Sequence, residues 1–152
     1  MVTGNFSGHN FLKRTNSVKI FEYPLTIIEG HLDTFGHVNN ATYLSLYEEA
    51  RWDFITKGGF GLTEIQEKKM GPVVLGLEIK FTAELKNREP ITITSKILGM
   101  KNPLVMQMEQ KMIKPDGTEA SSMIIQFGLF DLKKRKLVLP TKEWNAAIGF
   151  ED

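Results

Sequence analysis

The stretch DTFGHVNNATYLSLYEEARWDFITKGG, residues 33–59, carries the most informative pattern in the chain. Its second part has apolar residues at helical spacing, namely Tyr43, Leu44, Leu46, Tyr47, Ala50, Phe54 and Ile55. Asn39 and Asn40 are of a type that caps helix N-termini, and Gly58-Gly59 supplies a stop. The pattern predicts a helix over Ala41–Lys57, about 25 Å long at 1.5 Å per residue.

Downstream of this helix the period of the apolar residues changes to two. Between Val73 and Lys86 they occupy alternate positions: Val73, Leu75, Leu77, Ile79, Phe81, Ala83 and Leu85. This alternation predicts one long strand with a single apolar face. Further strand patterns follow at Ile91–Leu98, Leu104–Lys114 and Glu119–Asp131, separated by turn signals at Asn87–Pro90 and Pro115–Gly117. A short apolar segment at Leu137–Leu139 and one or two helical turns within Thr141–Ile148 complete the chain.

Upstream of the helix, Val18–Ile28 is rich in β-branched and aromatic residues and predicts a first strand, which Pro24 places at a sheet edge. Residues 1–17 are rich in Gly, Asn, Ser and Thr, so we expect a flexible N-terminal arm before a single domain at 18–152. An antiparallel sheet with one apolar face can bury that face by curling around a single helix. We therefore predict an α+β fold in which a curved antiparallel β-sheet wraps a long central helix.

The composition narrows the classes of function. The chain has 152 residues, 41% of them hydrophobic, which fits one globular domain. With 19 Lys+Arg against 18 Asp+Glu, the net charge is close to zero and gives no reason to expect binding to nucleic acid or to an anionic membrane surface. The absence of cysteine excludes disulfides, thiolate metal sites and a cysteine nucleophile, and the histidines show no metal-ligand spacing. No apolar run reaches the roughly 20 residues of a membrane span, and we expect a cytoplasmic protein.

The loop before the helix has the residues of an acyl-transfer site. Asp33 supplies a carboxylate and Gly36 a turn, immediately before the helix N-terminus. The first N–H groups of a helix lack intrahelical partners and carry part of the positive end of its dipole, so they can hold a developing oxyanion. The arrangement predicts a hydrolase that attacks a carbonyl group.

A longer motif resembles a known family. Asp33-x-x-Gly36-His37-Val38-Asn39-Asn40-x-x-Tyr43, continued by Glu48-Glu49-Ala50-Arg51, is similar to the motif of the 4-hydroxybenzoyl-CoA thioesterase-like branch of hotdog-fold acyl-CoA thioesterases. Weaker similarities are Pro72-Val73-Val74, Pro115-Asp116-Gly117 and Leu139-Pro140. The resemblance covers about residues 21–140. It implies a hotdog fold and hydrolysis of acyl-CoA to a carboxylic acid and coenzyme A, with no cofactor beyond the coenzyme A of the substrate.

The resemblance also implies catalytic roles. Asp33 would act as nucleophile or as general base for water, the backbone N–H of Asn40 would polarise the thioester carbonyl, and Gly36 would let the loop approach the acyl group. A carboxylate suffices because the leaving thiol has a pKa of about 8.5, so no strong general acid is required. The alternative to these catalytic roles is a structural one, in which Asp33 caps a turn and the side chains of Asn39 and Asn40 cap the helix.

His37, Tyr43, Glu48 and Val74 are the expected substrate-binding residues. His37 could instead be a general base, although the resemblance favours a role in bracing the loop. Glu48, or Glu49 beside it, is an internal rival to Asp33, because some hotdog thioesterases carry the catalytic carboxylate on the helix. Glu48 could also pair with Arg51 on the helix surface. His31 stands where many relatives have an acidic residue and is a candidate neighbour of the substrate.

The phosphates of coenzyme A require cations, and Lys86 and Arg88 are the expected ligands, with Lys80 and Lys101 also near strand ends. The basic run Lys133–Lys136 is either a phosphate site or a solvated turn. Met106, Met108 and Met112 alternate on one strand face and would contact an acyl chain or fill the core.

The expected assembly is a homodimer, with further association into tetramers or hexamers, because the resembled family shares each active site between two subunits. Two other functions fit the same fold. One is a non-enzymatic acyl-CoA-binding protein, which would need no positioned carboxylate. The other is a hydratase or dehydratase of acyl thioesters, which only the fold analogy supports.

Overall fold

A long helix and six β-strands make up more than half of residues 18–151, which are the residues that a computed structural model describes. The elements are β1 (Ile20–Thr26), α1 (Asn40–Lys57), α2 (Leu62–Lys68), β2 (Met70–Phe81), β3 (Pro90–Asn102), β4 (Val105–Ile113), β5 (Glu119–Asp131), β6 (Lys136–Val138) and α3 (Lys142–Ala147), with a 3-10 turn at Glu29–His31. The arm expected at residues 1–17 lies outside the described residues. In the described part, no helix combines the length and apolarity needed to cross a membrane.

The strands form one antiparallel sheet in the order β1-β3-β4-β5-β2, and β6 pairs with β5. The helix α1 supplies six buried residues to the core that it shares with the sheet: Tyr43, Leu46, Tyr47, Ala50, Phe54 and Ile55. Alternate residues of β4 and β5 supply the opposing surface, among them Met106, Met108, Met112, Met123 and Ile125. The predicted wrapping of an antiparallel sheet around a central helix, the hotdog fold, is confirmed, and β1 with Pro24 is an edge strand as expected.

The strand predicted over Val73–Lys86 is wrong in its end and in its phase. β2 ends at Phe81, and a β-bulge interrupts its pairing with β5 between Val74 and Gly76. Directly opposed residues share a face, so Val74 lies on the helix side with Leu77, Ile79 and Phe81, opposite the core residues Phe127, Ile125, Met123 and Ser121. Because a bulge adds one residue to the strand, the alternation read from the sequence breaks at Leu75.

The helix α2 was not predicted. It has seven residues and no buried side chain, and Ile65 is half-buried against β2. It ends at Lys69, which adopts a left-handed conformation with φ +55°. A helix this short carries too few apolar residues for a period to be recognised.

The C-terminus of α1 packs directly against α3. A Cβ atom placed on Gly58 would lie 2.6 Å from the carbonyl oxygen and 2.7 Å from the Cα of Ala147. Both contacts are with backbone, which cannot rotate away. Gly58 is therefore required by the close approach of the two helices, in addition to ending α1.

We predict that Gly58→Ala lowers the free energy of unfolding by about 1–3 kcal/mol, because α1 and α3 must separate to admit the methyl group. Denaturant unfolding monitored by circular dichroism measures this difference. Gly30→Ala is the control, since its added Cβ would meet nothing within 4 Å, and it should change stability by less than about 0.5 kcal/mol. Equal stability of the wild-type and Gly58→Ala proteins would contradict the packing described for the two helices.

Candidate active site

The loop that precedes α1 is organised by the carboxylate of Asp33. Its Oδ1 accepts hydrogen bonds from the backbone N–H groups of Phe35 at 2.9 Å and His37 at 3.1 Å. The backbone N–H of Asp33 donates to the carbonyl oxygen of His37 at 2.8 Å, and Gly36 turns the chain with φ +78°. Both hydrogen bonds to the carboxylate engage Oδ1, so the loop fixes the position of the group through one oxygen.

The N-terminus of α1 has one backbone donor that finds no partner among the described residues. The side chain of Asn39 accepts from the N–H of Ala41 at 2.9 Å, and its carbonyl oxygen accepts from the N–H groups of Thr42 and Tyr43 at 2.9 and 3.2 Å. Within residues 18–151, the N–H of Asn40 has no hydrogen-bond partner. Asn39 therefore supplies the cap, and the N–H of Asn40 is left at the positive end of the helix dipole.

A cavity of about 490 Å³ opens beside this helix N-terminus. Its lining combines the start of α1 with the chain that follows β2: His37, Val38, Asn40, Tyr43, Phe81, Thr82, Ala83, Glu84 and Leu85. Asp33 is not among the lining residues, but it is hydrogen-bonded to the backbone of His37, which is. The structure thus brings three of the expected site residues, His37, Asn40 and Tyr43, to one cavity, and Asp33 is connected to it by the hydrogen bond from the backbone of His37.

The aromatic wall of this cavity is formed by Tyr43 and Phe81, whose rings meet edge to face with centroids 4.8 Å apart. Burial raises the pKa of the Tyr43 phenol, and the negative charge of Glu84 raises it further. The phenol therefore stays protonated at neutral pH and can donate a hydrogen bond.

Glu84 is a site residue that the sequence did not reveal. Its Oε1 lies 2.9 Å from Nε2 of His37, and the two side chains are 54% and 61% exposed. The strand pattern assigned Glu84 to a solvent-facing strand position, but β2 ends before it and the chain turns into the cavity wall. Because His37 is joined to Asp33 through its backbone and to Glu84 through its side chain, it braces the loop against the end of β2.

The two expected phosphate ligands differ in their surroundings. Arg88 forms a bidentate pair with Glu29, with Nε–Oε1 at 2.9 Å and Nη2–Oε2 at 2.7 Å. The pKa of Glu29 is lowered by its own backbone N–H and then by the hydrogen bonds from Arg88 and Asn87. Lys86, on the same turn, is exposed and takes part in no ion pair among the described residues.

The other basic residues considered from the sequence, and His31, do not line the cavity at the N-terminus of α1. Lys80 lies 3.8 Å from Glu78, and Lys101 donates to Gln126 at 3.2 Å. The run Lys133–Lys136 is exposed and comprises the end of the turn after β5 and the first residue of β6. Nδ1 of His31 accepts from the N–H of Ile28 at 3.1 Å, which closes the 3-10 turn.

Glu48 and Val74 line a second, smaller cavity of about 100 Å³, between the later turns of α1 and the sheet. The surface ion pair considered for Glu48 and Arg51 does not form. Arg51 instead donates from Nη1 to Oε1 of Gln110 on β4 at 2.8 Å, and Glu48 accepts from Nε1 of Trp52 at 3.4 Å. The expected substrate-binding residues are thus divided between two cavities along one helix.

Gln110 is a second residue that sequence reasoning missed. It is fully buried, and its Nε2 donates to the carbonyl oxygen of Tyr47 at 3.1 Å and to Oγ of Ser95 at 2.9 Å. The available signal was its position, because it interrupts the alternating Met106, Met108 and Met112 on the buried face of β4. A polar side chain at such a position must be hydrogen-bonded, and here it fixes Arg51.

The chain is similar to thioesterases in both sequence and structure. Residues 29–148 match the model of the thioesterase-like superfamily. The long-chain acyl-CoA thioesterase FadM of Escherichia coli (strain K12) is 29% identical over 106 residues, which cover 70% of this chain and 80% of FadM. The solved structure of YbaW, a probable thioesterase from Escherichia coli, superposes with a TM-score of 0.75 at 26% identity, covering 85% of this chain and 98% of that one.

A solved structure of the hypothetical protein SAV2348 from Staphylococcus aureus, in complex with CoA, superposes with a TM-score of 0.79. It is 18% identical and covers 86% of this chain and 82% of its own. At that identity the likeness concerns the fold.

Proposed function

We infer that this chain, which belongs to the thioesterase-like superfamily, hydrolyses acyl-CoA thioesters to a carboxylic acid and coenzyme A. The observation that carries the proposal is the free N–H of Asn40 at a cavity whose wall is hydrogen-bonded to the Asp33 carboxylate. Such a site supplies both an oxyanion donor and a group that can attack a carbonyl carbon or activate water for that attack.

The proposed reaction begins with the thioester carbonyl oxygen accepting a hydrogen bond from the N–H of Asn40. This bond strengthens as negative charge develops on the oxygen, so it stabilises the transition state more than the bound substrate. Asp33 then attacks the carbonyl carbon through Oδ2, or removes a proton from an attacking water. The thiolate of coenzyme A leaves without a strong general acid. In the covalent route, water hydrolyses the resulting anhydride and regenerates Asp33.

The other site residues would position the substrate. Gly36 allows close approach of the acyl group to the loop, and Tyr43 offers a protonated phenol at the cavity wall. Lys86 is the better supported of the two phosphate ligands, since Arg88 is already paired with Glu29. The cytoplasmic location stays a prediction from the sequence.

The proposed assembly is a homodimer formed along β2, with further association into tetramers or hexamers. This strand is an edge of the described sheet, and its side chains Val74, Leu77 and Phe81 are 53%, 43% and 50% exposed on the helix side. An apolar edge strand of this length is a template for pairing with another chain. Phe35, 85% exposed in the Asp33 loop, would be a further contact.

We predict that Asp33→Asn lowers kcat for thiol release from acyl-CoA substrates by on the order of 100-fold or more. The amide keeps an oxygen that can accept the N–H groups of Phe35 and His37, so the loop should retain its conformation while the nucleophile or base is lost. Free-thiol detection over a panel of short, long and aromatic acyl-CoA esters measures the effect.

Glu48→Gln serves as the matched control, because it removes the rival carboxylate on α1 and should leave kcat within a few-fold of wild type. Equal activity of the Asp33→Asn and wild-type proteins would overturn the role of Asp33. Binding of acyl-CoA by the wild-type protein without any thiol release would instead support an acyl-CoA-binding protein.

Sedimentation should give a particle of at least twice the 17.3 kDa chain mass. We predict that Leu77→Glu dissociates it, because the new charge would face a second copy across the β2 edge. Glu78→Gln, on the opposite face of the same strand, should leave the mass unchanged. A fully active monomer would contradict the proposed assembly.

A further inference from the structure

The smaller cavity is lined by a cation, Arg51, and a carboxylate, Glu48, which form no ion pair with each other. Arg51 is largely buried, and burial lowers the pKa of its guanidinium, which the charge of Glu48 partly offsets. Within residues 18–151 its hydrogen bonding is a single contact with the neutral Gln110, and it forms no ion pair. A guanidinium carries five N–H donors, and leaving them unused in a desolvated position is unfavourable.

Trp144, which lines the same cavity, carries a second unsatisfied donor. Trp144 of α3 is 0% exposed, and its Nε1 has no hydrogen-bond partner in the described chain. Glu48 and Trp52 also line this cavity, and the rest of the lining is apolar: Ile55, Pro72, Val74, Met108, Ile125 and Phe127. A cavity of about 100 Å³ lined by Arg51, Trp144 and Glu48 suits a carbon chain that ends in a hydroxyl, because a hydroxyl can accept from a guanidinium or an indole N–H and donate to a carboxylate.

An apolar strip on β2 lies between this cavity and the larger one. Phe81 lines the larger cavity and Val74 the smaller, and Leu77 and Ile79 lie between them on the same face of the strand. On the helix side, Arg51 lies about 16 Å beyond Asn40 at 1.5 Å per residue. An extended alkyl chain advances roughly 1.3 Å per carbon because its bonds of about 1.5 Å zigzag, so roughly 12 carbons span this distance.

We propose that the smaller cavity is a subsite for the far end of a long acyl chain, and that Arg51 and Trp144 select acyl groups bearing an oxygen acceptor there. This inference rests on the proposed function, because it requires the thioester to lie at Asn40. The ligand class is a medium-to-long acyl-CoA with a terminal hydroxyl, since a terminal carboxylate would meet the carboxylate of Glu48 in the same cavity. Gln110 is a positioning residue that holds the guanidinium through its own hydrogen bonds to Tyr47 and Ser95.

The test compares dodecanoyl-CoA with ω-hydroxydodecanoyl-CoA. The wild-type protein should prefer the ω-hydroxy ester by on the order of ten-fold in kcat/KM, the effect of one charge-assisted hydrogen bond. The preference should lie in KM, because the contact is remote from the reacting bond and acts equally on substrate and transition state. Butanoyl-CoA and ω-hydroxybutanoyl-CoA should not be distinguished, since the shorter chain does not reach Arg51.

Arg51→Met should abolish the preference, and Trp144→Phe, which keeps a ring and removes the N–H, should reduce it. Lys57→Met is the matched control, because this cation of α1 pairs with Asp53 and does not line the cavity. Circular dichroism and thermal unfolding establish that each variant is folded. The absence of a preference in the wild type, or its persistence in folded Arg51→Met, would overturn the proposal.

Calorimetric binding of the same esters to the Asp33→Asn variant separates this inference from the proposed function. Tighter binding of the ω-hydroxydodecanoyl ester, lost on adding Arg51→Met, would support the subsite even if the wild-type protein released no thiol. Equal binding of the ω-hydroxy and plain esters by a protein that does hydrolyse them would refute the subsite alone.

Discussion

The packing of α1 across the inner face of the sheet is the constraint on which the rest of the molecule depends. Tyr47 is 0% exposed and Leu46, Ala50 and Phe54 are at most 5% exposed, and burying a large apolar side chain contributes about 1.5–3 kcal/mol. These contacts fix the rotation of the helix about its axis and its position along the sheet. Because the free N–H of Asn40 belongs to the backbone of this helix, its direction is set by the core and not by any side chain of the site.

The loop before α1 and the chain after β2 complete the site by attaching to each other. His37 is held by Asp33 on one side and contacts Glu84 on the other. The pair of Arg88 and Glu29 ties the adjoining turns together in a similar way. These contacts are exposed and individually weak, but they join segments distant in sequence around one cavity. The side chains of the candidate site therefore lie on short loops whose ends are anchored in the core.

Periodicity was sufficient to predict the fold, because the long helix and the strands β3, β4 and β5 each bury one face along their length. It failed where local geometry changes the phase. The bulge near Leu75 adds one residue to the strand, and the alternation of apolar and polar residues gives no sign of it. The helix α2 is too short to show a period. The loop residues of the candidate site could be proposed from the sequence, because Asp33, Gly36 and the two asparagines lie close together in one short segment. Glu84 and Gln110 reach their partners only through tertiary packing, 47 and 59 residues from His37 and Arg51.

In the proposed reaction the thioester is held at the N-terminus of α1, and a crystal structure of the Asp33→Asn variant with an intact acyl-CoA substrate tests this placement. We expect the thioester carbonyl oxygen to lie about 3 Å from the backbone nitrogen of Asn40, with the substituted side chain at position 33 facing the carbonyl carbon. A thioester bound beside Glu48, with the N–H of Asn40 unoccupied, would contradict it.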